Sequence, residues 1–153
     1  MPDTVHPEII ELARHIASEH GLEPALVCAV IEQESAWNPW AVRYEPGFLS
    51  RYVAPLYTAG KLSATEAYTR AMSWGLMQIM GQAARECGFE EPSLAELCDP
   101  AAGVEWGCRL LAKRVARAKG DVAAALLAWN GGANPNYPAE VLARTRNYSA
   151  KTS

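Results

Sequence analysis

The chain lacks any uninterrupted apolar run long enough to span a bilayer: its longest candidate, residues 123–129, stops well short of the roughly 20 residues a crossing needs. Met1-Pro2-Asp3 begins none of the basic-then-apolar pattern of a secretory signal. The expectation is therefore a protein made in the cytoplasm without that kind of export tag and not inserted in a membrane. Cysteine is sparse and unpatterned. Cys28, Cys87, Cys98 and Cys108 form no C-x-x-C pair, and His6, His15 and His20 fall in no ligand spacing, which speaks against a zinc site and leaves free, packed thiols as the expectation. Strong charge is missing too: 14 basic residues against 17 acidic ones give a net charge of −3, and the cations are scattered apart from Lys113, Arg114, Arg117 and Lys119. That balance argues against a nucleic-acid partner, and the one basic cluster sits where cations suit a helix C-terminus. Internal repeats and low-complexity tracts are absent, and strand signals are scarce.

What is present suffices for one compact domain. With 153 residues, 50% of them hydrophobic, the chain can bury a core without metal, cofactor or covalent staple, and a monomer is expected. Helix signals recur. Residues 7–20 carry Ile9, Leu12, Ala13 and Ile16 at helical spacing and meet Gly21 as a C-terminal cap. Residues 22–35 form the next helix, with Pro24 near its first turn and Asn38-Pro39 ending it. Ser63-x-x-Glu66 and Ser93-x-x-Glu96 read as capping boxes, Asp99-Pro100 opens a longer helix to about Lys119 closed by Gly120, and Asp121 opens another. Residues 138–148 read as a last helix. Between them, residues 40–62 mix glycine, prolines and aromatics in a way that suits an irregular lid or a small hairpin.

The candidate chemistry begins at Glu34. At about 100° per residue, Val27, Val30, Ile31 and Glu34 fall on one stripe of the second helix, while Glu32 points to the opposite side. A carboxyl that extends an apolar stripe is partly desolvated, which favours its neutral form, raises its pKa and fits it to donate a proton near neutral pH. Periodicity alone leaves open a helix-end acid leaning into solvent.

Three motifs in order weigh against that plainer reading: Gln33-Glu34-Ser35-Ala36-Trp37-Asn38-Pro39, then Ser73-Trp74-Gly75-Leu76-Met77-Gln78-Ile79-Met80, then Ala128-Trp129-Asn130-Gly131-Gly132. Spread over roughly two thirds of the chain, they resemble the motif set of the soluble lytic transglycosylases, relatives of goose-type lysozyme. The resemblance implies a mainly α, lysozyme-like domain that cleaves peptidoglycan glycan strands between N-acetylmuramic acid and N-acetylglucosamine. Glu34 would be its catalytic acid, with a cleft touched by Ser73, Gly75, Met77, Gln78, Trp129 and Asn130 and with Ser35 supporting the acid or the cleft wall. It implies no metal and no cofactor. Gln78 stands out on its own, because an amide inside an apolar run needs hydrogen-bond partners. Trp37, Trp40, Trp74 and Trp129 are either core residues or platforms for sugar faces, with one or two expected at the cleft.

The chain departs from the family pattern in three places. The third motif usually carries tyrosine before its asparagine, a hydroxyl that helps position sugar and acid, whereas Trp129 offers only an indole N–H. A Glu-Thr-Arg-x-Tyr run near the C-terminus appears here as Arg144-Thr145-Arg146-Asn147-Tyr148, so the carboxylate is absent while Tyr148 remains a candidate site residue. Residues 40–72 form an insertion expected over the cleft, and it brings a second acid, Glu45, close in sequence. Glycoside hydrolysis ordinarily uses two carboxylates. Glu45 would then make the enzyme a hydrolysing muramidase, unless it is a loop acid paired with Arg43 or Arg51. A non-catalytic glycan-binding component is the reading from another class. The missing export tag resembles a phage or prophage endolysin, or a lytic piece of a tail or secretion machine.

Overall fold

The computed structural model describes residues 6–149. Its centre is α2 (Pro24–Ser35), preceded by α1 (Pro7–Glu19). Both begin with proline in the first turn, where a missing N–H costs nothing. Every residue of α2 from Ala25 to Ile31 is buried, so this helix is a core rod and not a one-sided stripe. At about 1.5–3 kcal/mol for each fully buried large aliphatic side chain, Leu26, Val27, Val30 and Ile31 make it a major source of cohesion. Glu34 thus emerges one turn beyond a fully buried stretch of helix.

A small antiparallel sheet follows, made of β1 (Val42–Tyr44), β2 (Met72–Trp74) and β3 (Ile79–Met80) in the order β1-β2-β3. Arg43 sits opposite Ser73, and Ser73 opposite Met80. Between β1 and β2 the chain folds into short helices: α3 (Pro46–Phe48), a π-helical stretch (Leu49–Val53), α4 (Ala54–Thr58) and α5 (Ala64–Arg70). Val53, Ala67 and Ala71 give this segment a small core of its own. The irregular lid or hairpin expected for residues 40–62 is therefore corrected to a mainly helical flap with one strand, its helices too short to leave a readable period.

The remaining helices are α6 (Gly81–Glu86), a 3-10 turn (Leu94–Cys98), α7 (Pro100–Arg117), α8 (Val122–Trp129) and α9 (Tyr137–Arg144). Asp99 and Asp121 cap α7 and α8 by accepting from the backbone N–H of Ala102 and Ala124. Ser93 and Glu96 complete a reciprocal capping box, whereas Ser63 accepts from the Glu66 N–H without the return bond. The last helix expected at 138–148 ends earlier, at Arg144, and continues as a 3-10 turn through Thr145–Asn147. No described helix is long and apolar enough to cross a membrane. Cys28, Cys87, Cys98 and Cys108 are free, and burial pushes the thiols of Cys28 and Cys108 up to about 11 and about 12.

Two close approaches fix the second motif against the core. Gly75 lies at φ +71° with its α-carbon against the Leu97 carbonyl, where a Cβ would come within 2.4 Å of that oxygen. A Cβ on Gly107 would come equally close to the Met77 sulfur, so α7 is notched to receive Met77.

Candidate active site

A cavity of about 790 Å³ opens between the sheet, the flap and the helices α6 to α8. One face of the sheet forms its floor, since Arg43, Ser73 and Met80, which stand in one row across the strands, all line it. Glu45, Phe48 and Tyr52 come from the flap, Leu110 and Arg114 from α7, and Trp129, Asn130 and Gly131 from the end of α8. Glu34 enters from the C-terminal end of α2.

Backbone strain concentrates immediately beyond Glu34. Ala36 and Trp37 both adopt positive φ, at 50° and 65°, a conformation that costs roughly 1–2 kcal/mol per non-glycine residue. Ser35 and Tyr148 hold this turn in place. The Ser35 hydroxyl contacts the carbonyls of Ile31 and, at 2.8 Å, Leu76, which couples the end of α2 to the second motif. Trp37 is buried and donates its indole N–H to the Tyr148 hydroxyl at 2.8 Å. Gln78, also at positive φ (53°), is fastened by its own side chain, which donates to the carbonyls of Ala41 and Gly75 at 2.9 Å each. The amide in the apolar run therefore finds its partners within the protein while still lining the cavity.

Glu34 is half-buried, and burial raises its pKa above the ordinary carboxylate value. Two opposing influences are weaker: a hydrogen bond from the Tyr137 hydroxyl, at 2.6 Å to Oε1, and the more distant Arg43 cation. Tyr137 opens α9 and is itself buried. Burial, together with the Glu34 charge, holds its phenol far above the usual tyrosine range, so it stays a donor. This residue lies outside all three motifs, and its partnership with Glu34 across 103 positions has no local sequence signature. The sequence bears on it only through Trp129, which leaves no tyrosine beside Asn130; the hydroxyl that reaches Glu34 comes from α9.

A second set of bonds secures the residue before the acid. Arg144 donates from Nε to the Gln33 amide oxygen at 2.7 Å and pairs through Nη1 with Glu32 at 3.2 Å, while Gln33 donates to Glu140 at 3.2 Å. Where the family pattern has a carboxylate, this chain has a cation that ties α9 to the acidic end of α2.

The sequence candidates divide into two groups. Glu34, Glu45, Ser73, Gln78, Trp129 and Asn130 meet around the cavity. Met77 is corrected to a core residue, fully buried against Gly107. Gly75 and Tyr148 are buried framework positions, and Ser35 is spent on backbone carbonyls. Glu45 is paired to Arg43 at 2.5 Å. Among the tryptophans only Trp129 lines the cavity; Trp37 and Trp74 are buried and Trp40 is exposed. Arg114, one of the cations expected at a helix C-terminus, sits in the last turn of α7 and lines the cavity as well. Among the described residues no three His, Cys, Asp or Glu side chains gather as a metal-binding group.

Chemically, the arrangement presents one carboxyl biased toward its neutral form and steadied by a phenol, over a floor of strand residues. The other cavity carboxylates are engaged: Glu45 by Arg43, and Glu86 by the Gln82 amide at 3.0 Å.

A family model described as Transglycosylase SLT domain matches residues 11–151 of the chain. Among curated proteins the chain is similar to the "Membrane-bound lytic murein transglycosylase C" of Actinobacillus pleuropneumoniae serotype 5b (strain L20) and of serotype 3 (strain JL03). It is 39% identical to each over 54 residues, which is 35% of this chain and 14% of each relative. The chain thus matches only a small part of the length of these relatives. No solved structure matches it significantly.

Proposed function

The chain belongs to the Transglycosylase SLT domain family, a lysozyme-like group, and on that footing we propose that it cleaves the β-1,4 bond between N-acetylmuramic acid and N-acetylglucosamine in peptidoglycan as a lytic transglycosylase. The observation that carries this reading is Glu34: a half-buried carboxyl with a raised pKa, held by Tyr137 at the edge of a 790 Å³ cavity. The relatives' name supports the same reaction.

In this mechanism Glu34 protonates the glycosidic oxygen, the bond from that oxygen to muramic acid C1 breaks, and the N-acetylglucosamine end leaves as an alcohol. The Glu34 carboxylate then takes the proton of the C6 hydroxyl on the same muramic acid. Its oxygen closes on C1 as a 1,6-anhydro ring, and the enzyme recovers its acid without consuming water. Tyr137, bonded to Oε1, leaves Oε2 to carry the travelling proton. The engaged state of Glu45 and Glu86 favours this one-carboxylate route.

Hydrolysis is the second reading. Glu45 lines the same cavity as Glu34, and a carboxylate opposite the acid is what water activation asks for. Digestion of purified peptidoglycan by the wild type and by Glu34→Gln, with mass spectrometry of fragments before and after borohydride reduction, decides between them. Non-reducible fragments lighter by one water are expected, and reducible muramic ends would assign hydrolysis. No product that depends on Glu34 would leave a glycan-binding module.

A further inference from the structure

We propose that Arg114 determines specificity in this cleft by taking a carboxylate carried on the muramic acid unit of the substrate. The inference rests on the glycan-cleaving reading above and adds the charged group by which the cleft separates that glycan from a neutral one.

Arg114 lies in the last turn of α7 and lines the cavity together with Leu110 of the same helix. Its Nε is buried and has no hydrogen-bond partner. A buried N–H of a guanidinium left unmatched is costly, and native structures seldom leave such a group without a use. Other arginines are committed elsewhere: Arg43, which shares the cavity, to Glu45, and outside it Arg70 and Arg85 to Glu66 and Arg144 to Glu32. The carboxylates that share the cavity do not answer Arg114 either, since Arg43 holds Glu45, Gln82 holds Glu86, and Glu34 receives its bond from Tyr137. Arg114 therefore lines the cavity as a guanidinium that these carboxylates leave unpaired.

A guanidinium grips a carboxylate through two parallel N–H donors, and its terminal nitrogens offer that fork as well as its Nε edge does. N-Acetylglucosamine offers no anion. Muramic acid adds a lactyl ether, whose carboxyl is either free or extended by a peptide stem that ends in carboxylates. Both sources present the same planar anion, the lactyl carboxylate beside the ring and the stem carboxylates further out along the peptide. Leu110, one turn earlier on α7, adds an apolar group to the same lining, and the burial of Nε keeps water from part of the side chain, which strengthens a charge-assisted bond.

The test measures binding, so that turnover does not intrude. In a Glu34→Gln background, calorimetry compares solubilised peptidoglycan strands with intact stems, the same strands stripped of stems by an amidase, and a soluble N-acetylglucosamine oligomer. We expect the acidic glycans to bind more tightly than the neutral oligomer. Arg114→Gln should weaken acidic-glycan binding roughly tenfold to a hundredfold, the range for a hydrogen bond to a charged group, and leave the neutral oligomer unchanged. Arg114→Lys keeps the charge without the fork, should fall between, and serves as the test if Arg114→Gln does not fold. Preference for intact strands alone assigns the stem carboxylate; preference for stripped strands assigns the lactyl carboxylate. Equal losses on all three probes, or none, would overturn the inference while leaving the glycan reading standing. A parent that binds no glycan at all would remove that reading itself.

Discussion

Two half-buried carboxylates in this protein receive opposite treatment, and they differ both in depth and in partner. Glu34 loses water without gaining a cation partner: its nearest donor is a neutral phenol, and its pKa rises. Glu66 also loses water, but Arg85 and Arg70 reach its oxygens at 2.7 and 2.8 Å, and their hydrogen bonds and charges outweigh burial, so its pKa falls. Depth of burial and the charge of the donor together decide what a carboxyl becomes. At Glu66 the carboxylate is cohesive, joining α5 to α6. At Glu34 it is held as an acid, at a cost to the fold that the rigid α2 and the network of Arg144 and Gln33 absorb.

Glu34→Gln breaks the comparison most severely. Turnover should fall about 10³-fold, within the range for loss of a positioned general acid, as read from anhydro-muropeptide release. Stability should move the other way. A raised pKa means that the stabilising contribution of the neutral acid is full below the ordinary carboxylate pKa and lost as pH rises through the elevated value. Glutamine does not titrate, so the variant should melt above the wild type at neutral pH and coincide with it in acid. A variant that melts lower at neutral pH would mean that Glu34 is a structural acid.

Tyr137→Phe sharpens the contrast at the donor. Turnover should drop about tenfold. The hydroxyl lowers the Glu34 pKa, so without it the alkaline limb of the pH–rate profile should move to higher pH. A limb that stays in place would show that the phenol does not bear on the acid.

Much of this arrangement is legible in the chain, and the boundary of legibility is physical. Pro7, Pro24, Asp99 and Asp121 mark helix starts because capping chemistry is local. The motifs bring Glu34, Ser73, Gln78, Trp129 and Asn130 to mind together, but motif order says nothing of which way each side chain turns. Met77 and Gln78 are neighbours, yet one fills the notch at Gly107 and the other lines the cavity. Tyr137 escaped because a hydrogen bond spanning 103 positions is a product of packing. Arg114 does lie in the last turn of α7, but the dipole rule holds for a cation at a helix end whichever way it points, so it says nothing of the cavity that Arg114 lines.

Glu66→Gln tests the cohesive partner. Its two arginines are mostly buried, and half-answering them should cost about 1–3 kcal/mol of unfolding free energy at pH 7. A lowered pKa contributes stability that is present above the unfolded value near 4.5 and lost as pH falls through the folded one. The gap between variant and wild type should therefore close in acid, the reverse of Glu34→Gln. Turnover per folded molecule should persist, because Glu66 does not line the cavity. Denaturant titrations across pH check both slopes.

The smallest effect is expected at Glu45, although it lies nearest in kind to a second catalytic carboxylate. Arg43 neutralises it, and Arg43 is mostly exposed, so the pair is of the solvent-screened kind whose loss is worth about 0–1 kcal/mol. Glu45→Gln should leave the anhydro product and its rate within about twofold, on that scale. It should also release Arg43 to act on Glu34 unopposed. Because the Arg43 cation already lowers the Glu34 pKa, the alkaline limb of the rate profile should slip slightly downward, in the direction opposite to Tyr137→Phe, and added salt should erase the slip. A collapse of activity to the level of Glu34→Gln, or a switch between reducible and anhydro ends, would instead make Glu45 the base of a two-carboxylate hydrolase, and the pairing with Arg43 a resting state of that base.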